Sequence, residues 1–163
     1  MRAVKRVVLL AAFLAACAQV PIKPPEGPLE FSLAGRIAAR YGSESFTGNI
    51  AWRHAREGDE LLISTPTGQG IAQIVRQGDA VLLKTAEPRE YRDNDAEALT
   101  KRVLGFPVPI DGLADWVQGK PSPQLEGRGW KVEYQDKDAQ GRPTRMRLTY
   151  QGIELRLAVS QWN

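Results

Sequence analysis

From Leu29 onward the chain alternates between apolar and polar positions with a period of two. Phe31, Leu33, Gly35, Ile37, Ala39 and Tyr41 fall on one face, and Gly42-Ser43 then reads as a turn. Phe46, Gly48, Ile50 and Trp52 share the next face. Three further short strands are predicted at Leu61–Thr65, Ile71–Arg76 and Ala80–Thr85, divided by Pro66-Thr67-Gly68 and Gln77-Gly78-Asp79. Successive side chains of a strand point to opposite faces, so alternation between turn signals at this spacing predicts an antiparallel meander.

The period then changes. Asp93 or Asn94 is placed to cap a helix, with Asp95 and Glu97 in its first turn, where the helix dipole favours acids. Ala96, Leu99, Val103 and Leu104 recur at helical spacing, Lys101 and Arg102 close the last turn, and Gly105 ends it. A second helix is predicted from Asp111 to Gln118, burying Leu113, Trp116 and Val117. Strands resume at Trp130, Val132 and Tyr134 and again over Arg145–Tyr150. Ile153, Leu155, Leu157 and Val159 give the last alternation. Trp162 is out of phase with it, so it either faces the other way or follows a β-bulge.

The fold class that follows is mainly β with α (α+β). One strongly curved antiparallel sheet of eight or nine strands carries an apolar face, and an apolar face must be covered. Two short helices are a small cover. Either the sheet closes into a barrel, or it curls and the helices plug its open side, around an apolar interior.

Ahead of this domain lies a different kind of sequence. Arg2, Lys5 and Arg6 precede the uncharged run Val7–Ala16. Ten residues are too few to span a bilayer as a helix but suit the apolar region of an export signal. The run ends Leu14-Ala15-Ala16-Cys17, which resembles the lipobox of bacterial lipoproteins. The expected division is a signal peptide at 1–16, a lipidated Cys17 with a proline-rich tether at 17–28, and the domain at 29–163. Cys17 is the only cysteine, so no intrachain disulfide is possible. Ala18 after the cysteine resembles an outer-membrane address. Three of the 22 basic residues and none of the 19 acidic ones precede Cys17, which leaves 19 of each sign behind it. A neutral chain gives no support for nucleic-acid binding.

Catalytic chemistry is hard to assemble from these residues. Zinc sites normally take three or four Cys, His or carboxylate ligands, and the chain has one histidine, His54. His54 sits in the polar stretch WRHAREGD and reads as part of an exposed turn, with Asp59 and Glu60 solvated beside it. There is no G-x-S-x-G motif. Gly68-Gln69-Gly70 lacks the third glycine of a dinucleotide loop. No metal, no cofactor and no enzyme activity are expected. Arg142, Arg145 and Arg147 read as an outer surface, and Trp52, Trp116 and Trp130 as core or as the wall of a lipid pocket.

Several blocks together resemble the outer-membrane lipoprotein receptor family LolB. They are Phe31-Ser-Leu-Ala-Gly-Arg-Ile37, Phe46-Thr-Gly-Asn-Ile-Ala-Trp52 and Ser64-Thr-Pro-Thr-Gly68. Asp95-Ala96, Leu99, Val103-Leu-Gly105, Pro107, Pro109, Leu113, Trp116 and Gly119 follow, then Gly129-Trp130-Lys-Val132 and a last strand reaching Trp162. The resemblance covers about Leu29 to Trp162.

It implies an unclosed barrel with a helical lid over an apolar cavity, held at the outer membrane and facing the periplasm. It also implies a monomer that takes lipoprotein acyl chains from the soluble periplasmic carrier LolA and inserts them in outer-membrane lipid. On that reading the acyl chains lie among Ile37, Ile50, Trp52, Leu62, Leu83, Leu99, Val103, Leu113 and Trp116. The family's membrane-delivery loop maps to Pro66, Thr67 and Gly68. In the family an exposed leucine or similar residue stands where this chain has Thr67, and threonine inserts poorly. Two other readings stay open: a lipoprotein that binds another amphiphile, and a structural lipoprotein of the envelope.

Overall fold

A computed structural model describes residues 21–163. The expected signal peptide, Cys17 and the first residues of the expected tether lie outside the described residues.

Nine strands form one antiparallel sheet in the order β6-β5-β4-β3-β2-β1-β9-β8-β7. They are β1 (Phe31–Tyr41), β2 (Glu44–Ala55), β3 (Gly58–Ser64), β4 (Gly70–Gln77), β5 (Ala80–Thr85), β6 (Glu90–Asp93), β7 (Lys131–Lys137), β8 (Pro143–Tyr150) and β9 (Ile153–Trp162). The end strands β6 and β7 do not pair with each other, so the barrel is open. The chain between them forms three helices, α1 (Ala96–Leu104), α2 (Ile110–Val117) and α3 (Pro123–Gly127). Of the two architectures open at the sequence level, the molecule adopts the curled sheet with helices over its apolar face.

The alternation sets the register. Inward positions meet across the strands in rows, such as Leu33–Trp52–Leu61–Ile74–Leu83 and Gly35–Ile50–Ile63–Ala72. A one-residue slip would turn each of these rows to solvent, which pins the pairing. Gly35 and Gly48 lie where strands press closely. A Cβ at Gly35 would collide with the Ala158 carbonyl, and one at Gly48 with the Ser64 carbonyl.

Some elements differ from expectation. Asp95 is the cap of α1 rather than part of its first turn, and its carboxylate accepts from the Ala98 amide at 2.9 Å. Gly105 ends that helix in the left-handed region at φ 86°. The α2 segment carries a kink, with Asp111 extended and Gly112 at φ 85°, so its regular turns begin at Leu113. Strand β6 and helix α3 carry too few periodic residues to be read from pattern. Trp130 stands just before β7, buried and stacked on Tyr150 at 5.0 Å. For Trp162 the bulge is the answer. The β1–β9 register shifts at Ala34/Gly35, which brings Trp162 opposite Leu33 and 5.7 Å from the Phe31 ring.

Candidate functional site

The concave face and the helices enclose one apolar interior. Ile37, Ile50, Trp52 and Leu83 reach it from the sheet, and Leu99, Leu113 and Trp116 from α1 and α2, all buried in a single cluster. Val103 packs against that cluster from the last turn of α1 and is half-buried. Eight of the nine residues expected to meet are therefore together. Leu62 is not. It follows inward-facing Leu61 by one residue, so its side chain leaves the opposite face and is 44% exposed. Phe106, Val108, Ile110, Val117 and Leu125 complete the interior from the helical side.

The seams of this enclosure lie at the end of α1. A groove of about 520 Å³ runs between the Thr65–Ile71 loop and Arg102-Val103-Leu104, beside Tyr91. A smaller opening of about 230 Å³ lies between Tyr41, Phe46, Leu104 and Phe106. A larger depression, of about 820 Å³, lies elsewhere. It is open and lies against the outward side chains of Ala34, Ala51, Leu62, Gln73 and Lys84, which form one row across the convex side. Its lining also includes Ile50, Ile63 and Ala72 of the buried cluster, whereas the two seams are the openings bordered by α1.

A buried polar network fastens the lid. Asp59 is fully buried and accepts from Trp52 Nε1 at 2.8 Å and from Arg76 Nε at 2.7 Å and Nη2, with His54 Nδ1 2.6 Å away. Arg76 Nε also stands 3.5 Å from Asp111 at the kink that opens α2, and so links the sheet to the lid. Burial pushes the Asp111 carboxyl above the usual aspartate range, in spite of Arg76 and Arg128 nearby. Glu97 on α1 is raised for the same reason, burial outweighing Arg128 at 2.6 Å and the Trp130 indole. For both lid carboxylates burial disfavours the charged form, which weakens the ion pairs they make.

This network corrects the reading of His54, Asp59 and Glu60 as an exposed turn. All three are buried. The signal was present in the chain: His54 continues the phase of Ile50 and Trp52, and Asp59 that of Leu61 and Ile63.

The Pro66-Thr67-Gly68 loop is exposed at the β3–β4 end, beside the larger seam. It is a tight turn, closed by the Gly68 amide on the Thr65 carbonyl at 2.8 Å, with Gly68 at φ 92°. Thr67 turns its hydroxyl back to that of Thr65 at 2.9 Å, so the tip is polar and internally bonded.

With the enclosure and its lid in view, comparison with known proteins is decisive. The family model for outer membrane lipoprotein LolB matches residues 29–162. The chain belongs to the LolB family. Relatives called outer-membrane lipoprotein LolB include one from Thiobacillus denitrificans, 33% identical over 99% of this chain and 98% of the relative. One from Azoarcus is 34% identical over 93% and 90%. One from Chromobacterium violaceum is 31% identical over 98% and 99%. Among solved structures, a LolA superfamily protein from Nitrosomonas europaea superposes with a TM-score of 0.52 at 11% identity, over 82% of this chain and 84% of that one. That likeness shows the shared open-barrel fold. As a LolB-family member the chain is a lipid-anchored lipoprotein of the outer membrane, with a part in lipoprotein localisation. No helix among the described residues is long and apolar enough to cross a membrane.

Proposed function

We propose that this domain accepts lipoprotein acyl chains from the periplasmic carrier LolA and passes them into the outer membrane. The observation that carries the reading is an apolar interior closed on one side only by three short helices, with its seams at the end of α1. Each methylene buried is worth about 0.8 kcal/mol, so acyl chains need continuous cover in water. A closed, evenly packed barrel would have no way to admit them. Here α1 and α2 meet the sheet through side-chain packing, a few ion pairs and the Tyr134 hydroxyl, which donates to the Trp116 carbonyl at 2.9 Å, and every strand-to-strand hydrogen bond survives if they move. Ile37, Ile50, Trp52, Leu83, Leu99, Val103, Leu113 and Trp116 then become the wall against the chains. Because the interior side chains already pack on the helices, entry requires the helices to shift. No step in this exchange calls for catalysis.

The test uses the domain from Ala18 onward, without its lipid, mixed with LolA loaded with a labelled lipoprotein. Movement of the label to the domain is expected. Retention on LolA while the domain is folded would refute acceptance and leave the reading of a receptor for another amphiphile, to be sought by extracting bound lipid.

A further inference from the structure

The convex face of β1, β9 and β8 concentrates arginine. In register, Arg36 and Arg145 flank Ala158, Arg156 and Arg147 stand directly opposite each other, and Arg40 faces Glu154. Five arginines and one glutamate therefore point outward from three adjacent strands, in a chain whose charges balance behind Cys17. Glu154 is occupied, 2.7 Å from Arg156 and 3.9 Å from Arg147, and Glu133 on β7 lies 3.7 Å from Arg147. Arg36, Arg40 and Arg145 are exposed and have no carboxylate within 4.0 Å among the described residues, although Asp136 is Arg145's register neighbour. Like charges placed directly across a sheet destabilise it, so this grouping costs stability unless an anion meets it.

The patch also has shape. A depression of about 200 Å³ lies between Arg40, Arg156, Ser45 and Thr47, with Ala38 in its floor and Glu154 at its side. Guanidinium forks beside hydroxyl donors suit phosphate oxygens, which they bind bidentately. The chain supplies a phosphate surface by its own anchoring. From Cys17 to Leu29 is a dozen residues, so the domain stays within about 40 Å of the lipid that holds it. Negative membrane surfaces attract juxtamembrane basic residues over roughly a Debye length.

We infer that the arginine face of β1, β8 and β9 docks on anionic phospholipid headgroups of the membrane that anchors the chain. The docking orients the domain on the bilayer, without insertion of an apolar side chain. The inference rests on lipid anchoring at Cys17 and is independent of whether acyl chains are accepted.

The test is flotation of the lipid-free chain from Ala18 with vesicles of phosphatidylcholine, alone or mixed with phosphatidylglycerol. All core strands and helices lie within Phe31–Trp162, so this chain retains the whole core. Binding is expected only with phosphatidylglycerol and is lost as salt is raised from about 0.05 to about 0.5 M. Each of Arg36→Ala, Arg40→Ala and Arg145→Ala lowers it about fivefold, and the three together roughly a hundredfold, at a thermal midpoint no lower than that of the unaltered chain. Arg56→Ala, in the exposed turn between β2 and β3, is the control away from this face. Equal flotation with both vesicle types, or full binding by the triple variant, would overturn the inference. So would a triple variant that floats normally but no longer captures the carrier, because the face would then serve an acidic protein. Cargo acceptance without vesicles stays intact in the triple variant. Failure of acceptance in the unaltered chain, with flotation preserved, would sink the proposed function and leave this face standing.

Discussion

Asp59 gathers three donors in a place where a free carboxylate would be prohibitive. The Trp52 indole, the His54 ring and the Arg76 guanidinium each approach it, and none of them has another carboxylate as close. Removing one partner from such a group strands the others, and the usual cost is about 3–5 kcal/mol. Asp59→Ala should lose that much in urea denaturation. Leu62→Ser, three strand positions beyond Asp59 and on the opposite face, should change stability by less than about 1 kcal/mol. A large loss at Leu62 would contradict the assigned register. These two residues also show what a chain conceals at this scale. Leu62 is apolar and stands in a strand, yet phase alone decides its face, and a run of four apolar or buried positions from Glu60 to Ile63 blurs the phase. His54 and Asp59 are in phase but polar, and polarity suggested solvent. What reverses that expectation is mutual pairing, which exists only once β2 and β3 are folded together.

The helical segment is the least regular part of the molecule and the part on which the account depends. Its C-terminal cap was legible from chemistry, in the glycine after α1, but the N-cap lies at Asp95, one or two residues beyond the expected Asp93 or Asn94, because any of three neighbouring polar side chains could serve and only the backbone conformation selects one. The kink at Asp111-Gly112 and the short α3 were not legible, because their conformations are fixed by packing of Gly112 under Ser122 and Leu125. The Arg76–Asp111 tie makes a pH-dependent prediction. Asp111 binds its proton more tightly in the folded domain than in the unfolded chain. Its contribution therefore favours folding below the ordinary aspartate range and declines as pH rises from there through the folded value. Measured as urea midpoints across that window, the unaltered domain should fall relative to Asp111→Asn as pH rises. A constant difference would mean that Arg76 compensates the burial fully. The β3–β4 loop carries its own prediction. Thr67→Leu puts an apolar side chain at an exposed tip and should raise partition into neutral vesicles roughly tenfold. No gain would show that the tip does not reach the bilayer.

At the scale of the whole molecule, sheet and lid divide the work. Nine strands in one continuous antiparallel order keep the frame, with β1 and β9 joining the ends of the chain in its middle. Eight of the nine strands, the curvature and the existence of an apolar interior followed from alternation and from the excess of strand over helix, while β6 was too short to show a period. The openness of the barrel did not, since closure depends on whether β6 and β7 meet, and no local signal reports it. The positions expected to wall the interior were found there except Leu62, while the network that holds the lid and the arginine face behind the sheet were visible only after register had placed their members side by side.

On the proposed function acyl chains enter the concave interior behind α1 and α2, and two apolar surfaces compete for them: that interior and the larger convex hollow at Ala34, Ala51 and Leu62. The direct measurement is photo-crosslinking with a diacyl lipid that carries a photoreactive group near a chain terminus, followed by mass-spectrometric mapping. Adducts are expected on inward residues such as Trp52, Leu83, Leu99 and Trp116, reduced when the helices are held closed. Adducts confined to Ala34, Ala51 and Leu62 on the convex side would contradict it.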